Sequence, residues 1–369
     1  MQRKLSRPSL RIRLVAALTA AGLIATTGTA LADTSADRKV VQEALDQLTT
    51  TGGALGAQAR VTDGHQRFTA RSGKAELGSH RPVPENGRFR VGSITKTFVS
   101  TVLLQLSGEG KLDLDAPVVR YLPGLIDGRI TVRQVLQHTS GLYNYTDALP
   151  LDPAEFEKIR YKHWTPQELL KISTGKPLDF DPGTRWSYSN TNYVVAGLLV
   201  ERLTGRPYAK AVEQRILKPL RLHDTEVPGD DVDISGPHAH GYVSVAGEPN
   251  DITRLNPSVA WAAGEIISTT RDLDTFGVAL AGGRLLKPAQ QQEIVKTTAV
   301  SPEYGLGLQV QTLPCGTRVW GHGGGIPGYT SQLLTTPDTH KRLELSVTSA
   351  PAGGDPNPAF VKLLTEVFC

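Results

Sequence analysis

The chain has 369 residues, 39 % hydrophobic and 21 % charged, a globular composition that excludes disordered, fibrous and multi-pass membrane classes. Its formal charge of +4 rests on Arg3, Lys4, Arg7, Arg11 and Arg13. Without those five, 35 basic residues face 36 acidic ones, so the body has no electrostatic footprint for nucleic acid.

In chain order, the basic N-terminal residues precede an apolar run over 14–23, and Ala30-Leu31-Ala32 stands before Asp33. This is the pattern of a signal peptide over 1–32, cleaved near Ala32/Asp33, and the apolar run is short for a membrane span. The expected product is secreted, lacks a stable membrane anchor and is a monomer. Residues 37–50 carry Val40, Val41, Ala44, Leu45 and Leu48 at helical spacing. Asp63-Gly64 between strand-like runs, 57–62 and 66–70, predicts a hairpin.

A helix is predicted from Ser93 to about Leu106, and further helices over 131–138, 165–173 and 192–203. The last third returns to strands at 318–322, 328–334 and 343–348 before a closing helix over 357–368. Strands at both ends around a helical middle predict an α+β fold. Residues 33–88 plus 265–369 would form a sheet-and-helix domain, and 89–264 an inserted, mainly helical one. Cys315 and Cys369 are the only cysteines, and an exported chain most simply pairs them.

Three short elements carry chemistry: Ser93-Ile94-Thr95-Lys96, Tyr188-Ser189-Asn190 and His322-Gly323-Gly324-Gly325. Residues three apart on a helix share a face, so Lys96 can sit beside the Ser93 hydroxyl. The helix start supplies free N–H groups for a developing oxyanion, and a lysine turned inward loses basicity and can act as a base. Alone, the motif equally describes an N-cap serine with a surface lysine. Ser173-Thr174-Gly175-Lys176 repeats the spacing but reads as a helix exit before Pro177. Tyr188 beside an ammonium can shuttle protons, and the Asn190 amide can bond a substrate carbonyl; a turn tyrosine with a capping asparagine is the plain alternative. The glycines after His322 permit close approach of a substrate backbone, or simply make a turn. An HGGG-type lipase element is set aside, because it precedes its nucleophile and the chain has no G-x-S-x-G elbow.

Together and in this order, these elements resemble the serine β-lactamase and penicillin-binding superfamily, closest to its secreted actinobacterial D-alanyl-D-alanine carboxypeptidases (class-C-type). The stretches 89–93, 110–115, 130–142 and 188–193 share in the resemblance. It implies a β-lactamase/transpeptidase-like fold, an antiparallel sheet flanked by helices, and a serine acyl-enzyme mechanism without cofactor or metal. Ser93 would be the nucleophile, Lys96 and Tyr188 the acid/base groups, and Asn190 a holder of the acyl-side amide. The backbone N–H groups of Ser93 and Gly325 would form the oxyanion hole, and His322 would stand where lysine often does.

The departures concern carboxylate recognition. Gly323 and Gly325 replace two threonines of an H-T-G-T strand, and Gln309 follows Gly305-Leu306-Gly307-Leu308 where an arginine is expected. Arg318 is a candidate replacement charge, and Trp261 either walls the cleft or packs in the core. The default substrate is a small peptide or peptidoglycan-derived D-alanyl-D-alanine, with β-lactams as further partners. An esterase, β-lactamase or D-amino-acid amidase on the same scaffold stays open, as does a non-turnover binder. His138 reads as a structural histidine, and His238-Ala239-His240 near Asp230, Asp231 and Asp233 as solvated residues rather than a metal site.

Overall fold

The computed structural model describes residues 36–350 and 354–369; the expected signal peptide, 1–32, lies outside them. Six strands, numbered in chain order, form one antiparallel sheet: β1 (Ala54–Asp63), β2 (Gln66–Gly73), β3 (Gln309–Thr312), β4 (Arg318–Ile326), β5 (Tyr329–Thr335) and β6 (Lys341–Ser349). Their spatial order is β2-β1-β6-β5-β4-β3. The predicted hairpin at Asp63-Gly64 joins β1 to β2, with Asp63 opposite Gln66. Ala57, Ala59 and Val61 alternate along β1 and face α1 (Arg38–Thr50), which supplies Val41, Leu45 and Leu48 to the same apolar cluster. The closing helix adds Leu363, Val367 and Phe368 to that layer. A disulfide joins Cys315 to Cys369, with Cα atoms 5.8 Å apart, and ties that helix to the β3–β4 loop.

The opposite layer is helical. Its centre is α2 (Thr95–Gly108), in which eleven of fourteen residues are buried, so the helix is enclosed on nearly every face. Phe98 stacks on Phe276 of the helix Thr270–Ala281, with ring centroids 3.7 Å apart. This stack locks α2 to the helix that covers the sheet. Beyond it lie α3 (Val132–Leu136), α4 (Pro166–Thr174) and α5 (Thr191–Thr204). Capping boxes, Thr131 with Gln134 and Thr165 with Glu168, start α3 and α4.

Three boundaries differ from the sequence reading. Ser93 lies in a single 3-10 turn, Gly92–Ile94, that leads into α2, because Gly92 turns the chain with φ +54°. The helix predicted over 131–138 stops at Leu136, since His138 adopts φ +61°. The glycines after His322 continue β4 to Ile326 and make no turn; the turn comes at Pro327-Gly328, where Gly328 has φ +83°.

Candidate active site

The site forms where the Ser93 turn, the segment before α5 and strand β4 meet. Lys96 lies one helical turn after Ser93 and is fully buried, because α2 is the enclosed helix. Its Nζ lies 2.9 Å from Ser93 Oγ, 2.8 Å from Asn190 Oδ1 and 2.7 Å from the carbonyl oxygen of Ala263. It also sits over the rings of Tyr188 and Tyr193, 4.9 and 5.4 Å from their centroids. Desolvation pushes its pKa well below the usual lysine range. A neutral amine has two N–H groups, which suffice for Asn190 and Ala263. Its lone pair then faces the Ser93 hydroxyl, the arrangement of a general base.

Tyr188 hydrogen-bonds Ser93, and burial raises its pKa, so the phenol keeps its proton at neutral pH. Asn190 makes no helix-capping side-chain bond. Instead its Oδ1 holds Lys96 and its Nδ2 donates to Thr146 Oγ1 at 3.3 Å. The serine is likewise no N-cap, and the lysine is no surface residue. Ser173–Lys176, by contrast, is the exit of α4, with Thr174 the last helical residue.

Strand β4 closes the third side. A Cβ on Gly324 would meet the carbonyl oxygen of Val91 at 1.9 Å, and one on Gly92 would meet the Gly325 nitrogen at 2.7 Å. The strand therefore packs its bare backbone directly on the Ser93 turn, with Gly325 against Gly92, the residue before Ser93. Gly325 is exposed, and a Cβ there would enter open space; one on Gly323 would touch Gln332 at 3.0 Å. Gln309 stands on edge strand β3 opposite Gly321, beside the His322 position.

His322 is only 2 % exposed, and both ring nitrogens are engaged. Nδ1 donates to the carbonyl of Gly323 at 2.5 Å, and Nε2 accepts from the Tyr304 hydroxyl at 2.9 Å. Desolvation, with the nearby Lys96, lowers its pKa to about 3, so the ring is neutral. His138 accepts the backbone N–H of Ser189 at its Nδ1, 3.2 Å away, which is the structural bond expected of it. Its ring also lies tilted against that of Tyr188, with centroids 4.3 Å apart, and so helps fix the phenol.

The other sequence candidates lie elsewhere. Trp261 sets its ring edge-on to Tyr208, 4.9 Å between centroids, and against Gly197 of α5, in core packing. Arg318 begins β4, seven residues before Gly325; at ~3.3 Å per residue it lies too far to replace the missing charge. His240 pairs with Asp251 at 2.6 Å and His238 with the carbonyl of Gly236, and no group of three metal-ligating side chains converges among the described residues. Sequence reasoning missed Tyr304, Tyr193 and the Ala263 carbonyl. Tyr193 ends the 188–193 stretch but has no role assigned there, Tyr304 carries no motif, and the carbonyl belongs to every residue type.

A serine backed by a desolvated lysine and tyrosine, under a glycine strand, defines a class of acylating serine hydrolases. Residues 41–364 match the beta-lactamase family, and the chain belongs to it. The structure is similar to a D-stereospecific amidohydrolase from Streptomyces sp., at 44 % identity over 90 % of this chain and 99 % of that one, TM-score 0.81. It is similar to the D-amino acid amidase of Ochrobactrum anthropi SV3, at 29 % identity over 89 % and 97 %, TM-score 0.78. Penicillin-binding protein 4* of Bacillus subtilis (strain 168) is 28 % identical over 288 residues, 73 % of this chain and 63 % of that protein. The chain spans about half to two-thirds of the length of the curated relatives it matches.

Proposed function

We propose that this protein is an exported serine amidohydrolase that cleaves amides of D-amino acids through an acyl-enzyme on Ser93. The observation that carries this reading is the absence, among the described residues, of a charged anchor at the glycine end of β4. A D-alanyl-D-alanine carboxypeptidase must hold a terminal carboxylate, and losing one charge-assisted bond costs about 1.5–3 kcal/mol. Here His322 is neutral and turned inward, Gly323 and Gly325 bear no hydroxyl, and Gln309 bears no charge. An amide or ester leaving group needs none of these.

On the acyl side, a carboxylate lies two hydrogen bonds from Asn190. Asn190 donates its backbone N–H to Asn144 Oδ1 at 2.9 Å, and Asn144 in turn donates to Asp147 at 3.2 Å. A carboxylate thus stands near the acyl-side asparagine, where a free α-ammonium group is welcome. The names of the two amidohydrolase neighbours support the same reading.

In the proposed cycle Ser93 Oγ attacks the amide carbonyl while its proton passes to neutral Lys96. The oxyanion takes the Ser93 and Gly325 N–H groups, each worth about 3–4 kcal/mol in comparable sites. Tyr188, still protonated, gives its proton to the leaving amine and regains one from the Lys96 ammonium. Water then cleaves the ester by the same groups, releasing the D-amino acid and restoring Ser93.

The test compares D-alaninamide, L-alaninamide and a diacyl-L-Lys-D-Ala-D-Ala tripeptide, each with a Ser93→Ala control. Serine-dependent hydrolysis of the D-amide, at least tenfold over the tripeptide, is expected. Preferred release of D-alanine from the tripeptide overturns the reading in favour of a carboxypeptidase. The penicillin-binding relative makes a long-lived β-lactam adduct the second reading, detected as acylation of Ser93 without turnover.

A further inference from the structure

The geometry points to Tyr304 as a positioning residue for the Ser93 chemistry, acting through the tautomer it imposes on His322. Tyr304 lies in the segment before β3 and is buried, and its ring stands edge-on to that of His322, 5.7 Å between centroids. Its backbone is fixed, because its carbonyl accepts from Ser301 Oγ at 2.8 Å and from Gln137 Nε2 at 3.3 Å. A count of hydrogens then leaves one arrangement. The Gly323 carbonyl can only accept, so its 2.5 Å contact with His322 Nδ1 puts the one hydrogen of the neutral ring on Nδ1. Nε2 is a bare acceptor, and its 2.9 Å contact with Tyr304 takes the phenol hydrogen. The hydroxyls behind it are satisfied in the same direction: Tyr193 donates to the Leu136 carbonyl at 3.1 Å, and Ser100 donates to Tyr193 at 3.0 Å.

Two consequences reach Ser93. The locked imidazole holds the Gly323 carbonyl, in a run of three glycines that has no side chain of its own to restrain it. Gly325 lies two residues on, and its N–H takes the oxyanion in the cycle proposed above; the inference rests on that reading. The lock also keeps the ring uncharged beside Lys96. The groups that face His322 are Lys96 of α2, Tyr188, Tyr304 and His138, and no carboxylate acts on it among the described residues. A proton on the ring would be a second buried cation without a partner, next to the amine that takes the serine proton. Removing the Tyr304 hydroxyl leaves Nε2 a buried acceptor with no donor, so the ring is free to change tautomer or gain a proton.

The experiment records nitrogen NMR of the full chain labelled with ¹⁵N-histidine, and of Tyr304→Phe, with His322→Gln to assign the signals. In the parent, Nδ1 is expected to carry the hydrogen and Nε2 to read as a lone-pair nitrogen, unchanged between about pH 5 and 9. In Tyr304→Phe, mixed tautomers or a ring midpoint raised by about one pH unit or more are expected. Kinetics use whichever of D-alaninamide and the tripeptide the parent cleaves. There kcat per active site is expected to fall about tenfold or more with KM within about threefold, since an oxyanion donor acts in the transition state. In a His322→Gln background the same change is expected to add less than about twofold. A parent hydrogen on Nε2 overturns the proposal, as does a variant with the parent's kcat or an undiminished effect in the His322→Gln background. If Tyr304→Phe does not fold, the parent spectrum decides, and a His322 ring that titrates above about pH 5 or exchanges tautomers overturns the proposal. A parent that cleaves neither substrate sinks the Ser93 reading and this inference together, whereas a cleaving parent with an unaltered variant sinks this inference alone.

Discussion

Lys96 owes its depressed pKa to its address. A lysine on a helix exposed along one side would stay protonated, but α2 is enclosed, and no carboxylate partners the amine. In the proposed cycle the neutral amine is the working form, so kcat/KM is expected to fall as pH drops through the value that desolvation has depressed. Lys96→Arg, which keeps the charge and cannot give up a proton, is expected to cost about 10²–10⁴-fold in kcat/KM across neutral pH. A pH–rate profile of the two enzymes checks both points; an arginine variant with the same acid limb would remove lysine from the base role.

At the scale of the element, β4 and the Ser93 turn form one packed unit made of backbone. Gly324→Ala is expected to disrupt it, because the new methyl group meets the Val91 carbonyl oxygen, which also accepts the Ser331 hydroxyl at 2.8 Å. Gly325→Thr meets nothing, and adds a hydroxyl at the mouth of the site. The first change is expected to lower both the unfolding midpoint and activity. The second is expected to keep the midpoint and raise tripeptide cleavage relative to amide cleavage by up to about tenfold, the worth of one good hydrogen bond. Assays of the two variants on both substrates measure the ratio directly.

For the whole molecule, stability depends on groups away from the reaction. The disulfide closes a 54-residue span, and its reduction is expected to cost about 4 kcal/mol in the chain-entropy picture. Because it lies by the β3–β4 loop, at the far end of β4 from Gly325, activity at low temperature should survive reduction while the unfolding midpoint falls. Glu265 gives stability a pH dependence. It is buried, bonded to the Tyr208 hydroxyl and the Gly229 N–H, and desolvation lifts its pKa to about 8. The folded state therefore favours the protonated acid. Its contribution is full below the ordinary glutamate value and is lost as pH rises toward 8, by up to about 1.4 kcal/mol per pH unit. Denaturation of Glu265→Gln over that range is expected to show a flatter profile than the parent chain.

Local pattern alone determined much of this protein. Helical spacing placed α1, α2 and the closing helix; Asp-Gly placed the hairpin; and the order of S-x-x-K, Y-S-N and H-G-G-G pointed to the beta-lactamase family of serine hydrolases. These features are legible because periodicity and turn chemistry act over a few neighbouring residues. Only tertiary structure decided the rest. Whether Lys96 is a buried amine or a surface cation depends on what encloses α2, and whether three glycines are a turn or a strand depends on the Val91 carbonyl, 233 residues before Gly324. The neutrality of His322 depends on Tyr304 and on burial, and Trp261 and Arg318 were placed by packing and strand direction that no motif records. Desolvation and close contact arise between segments distant in the chain, so they exist only once the chain has folded.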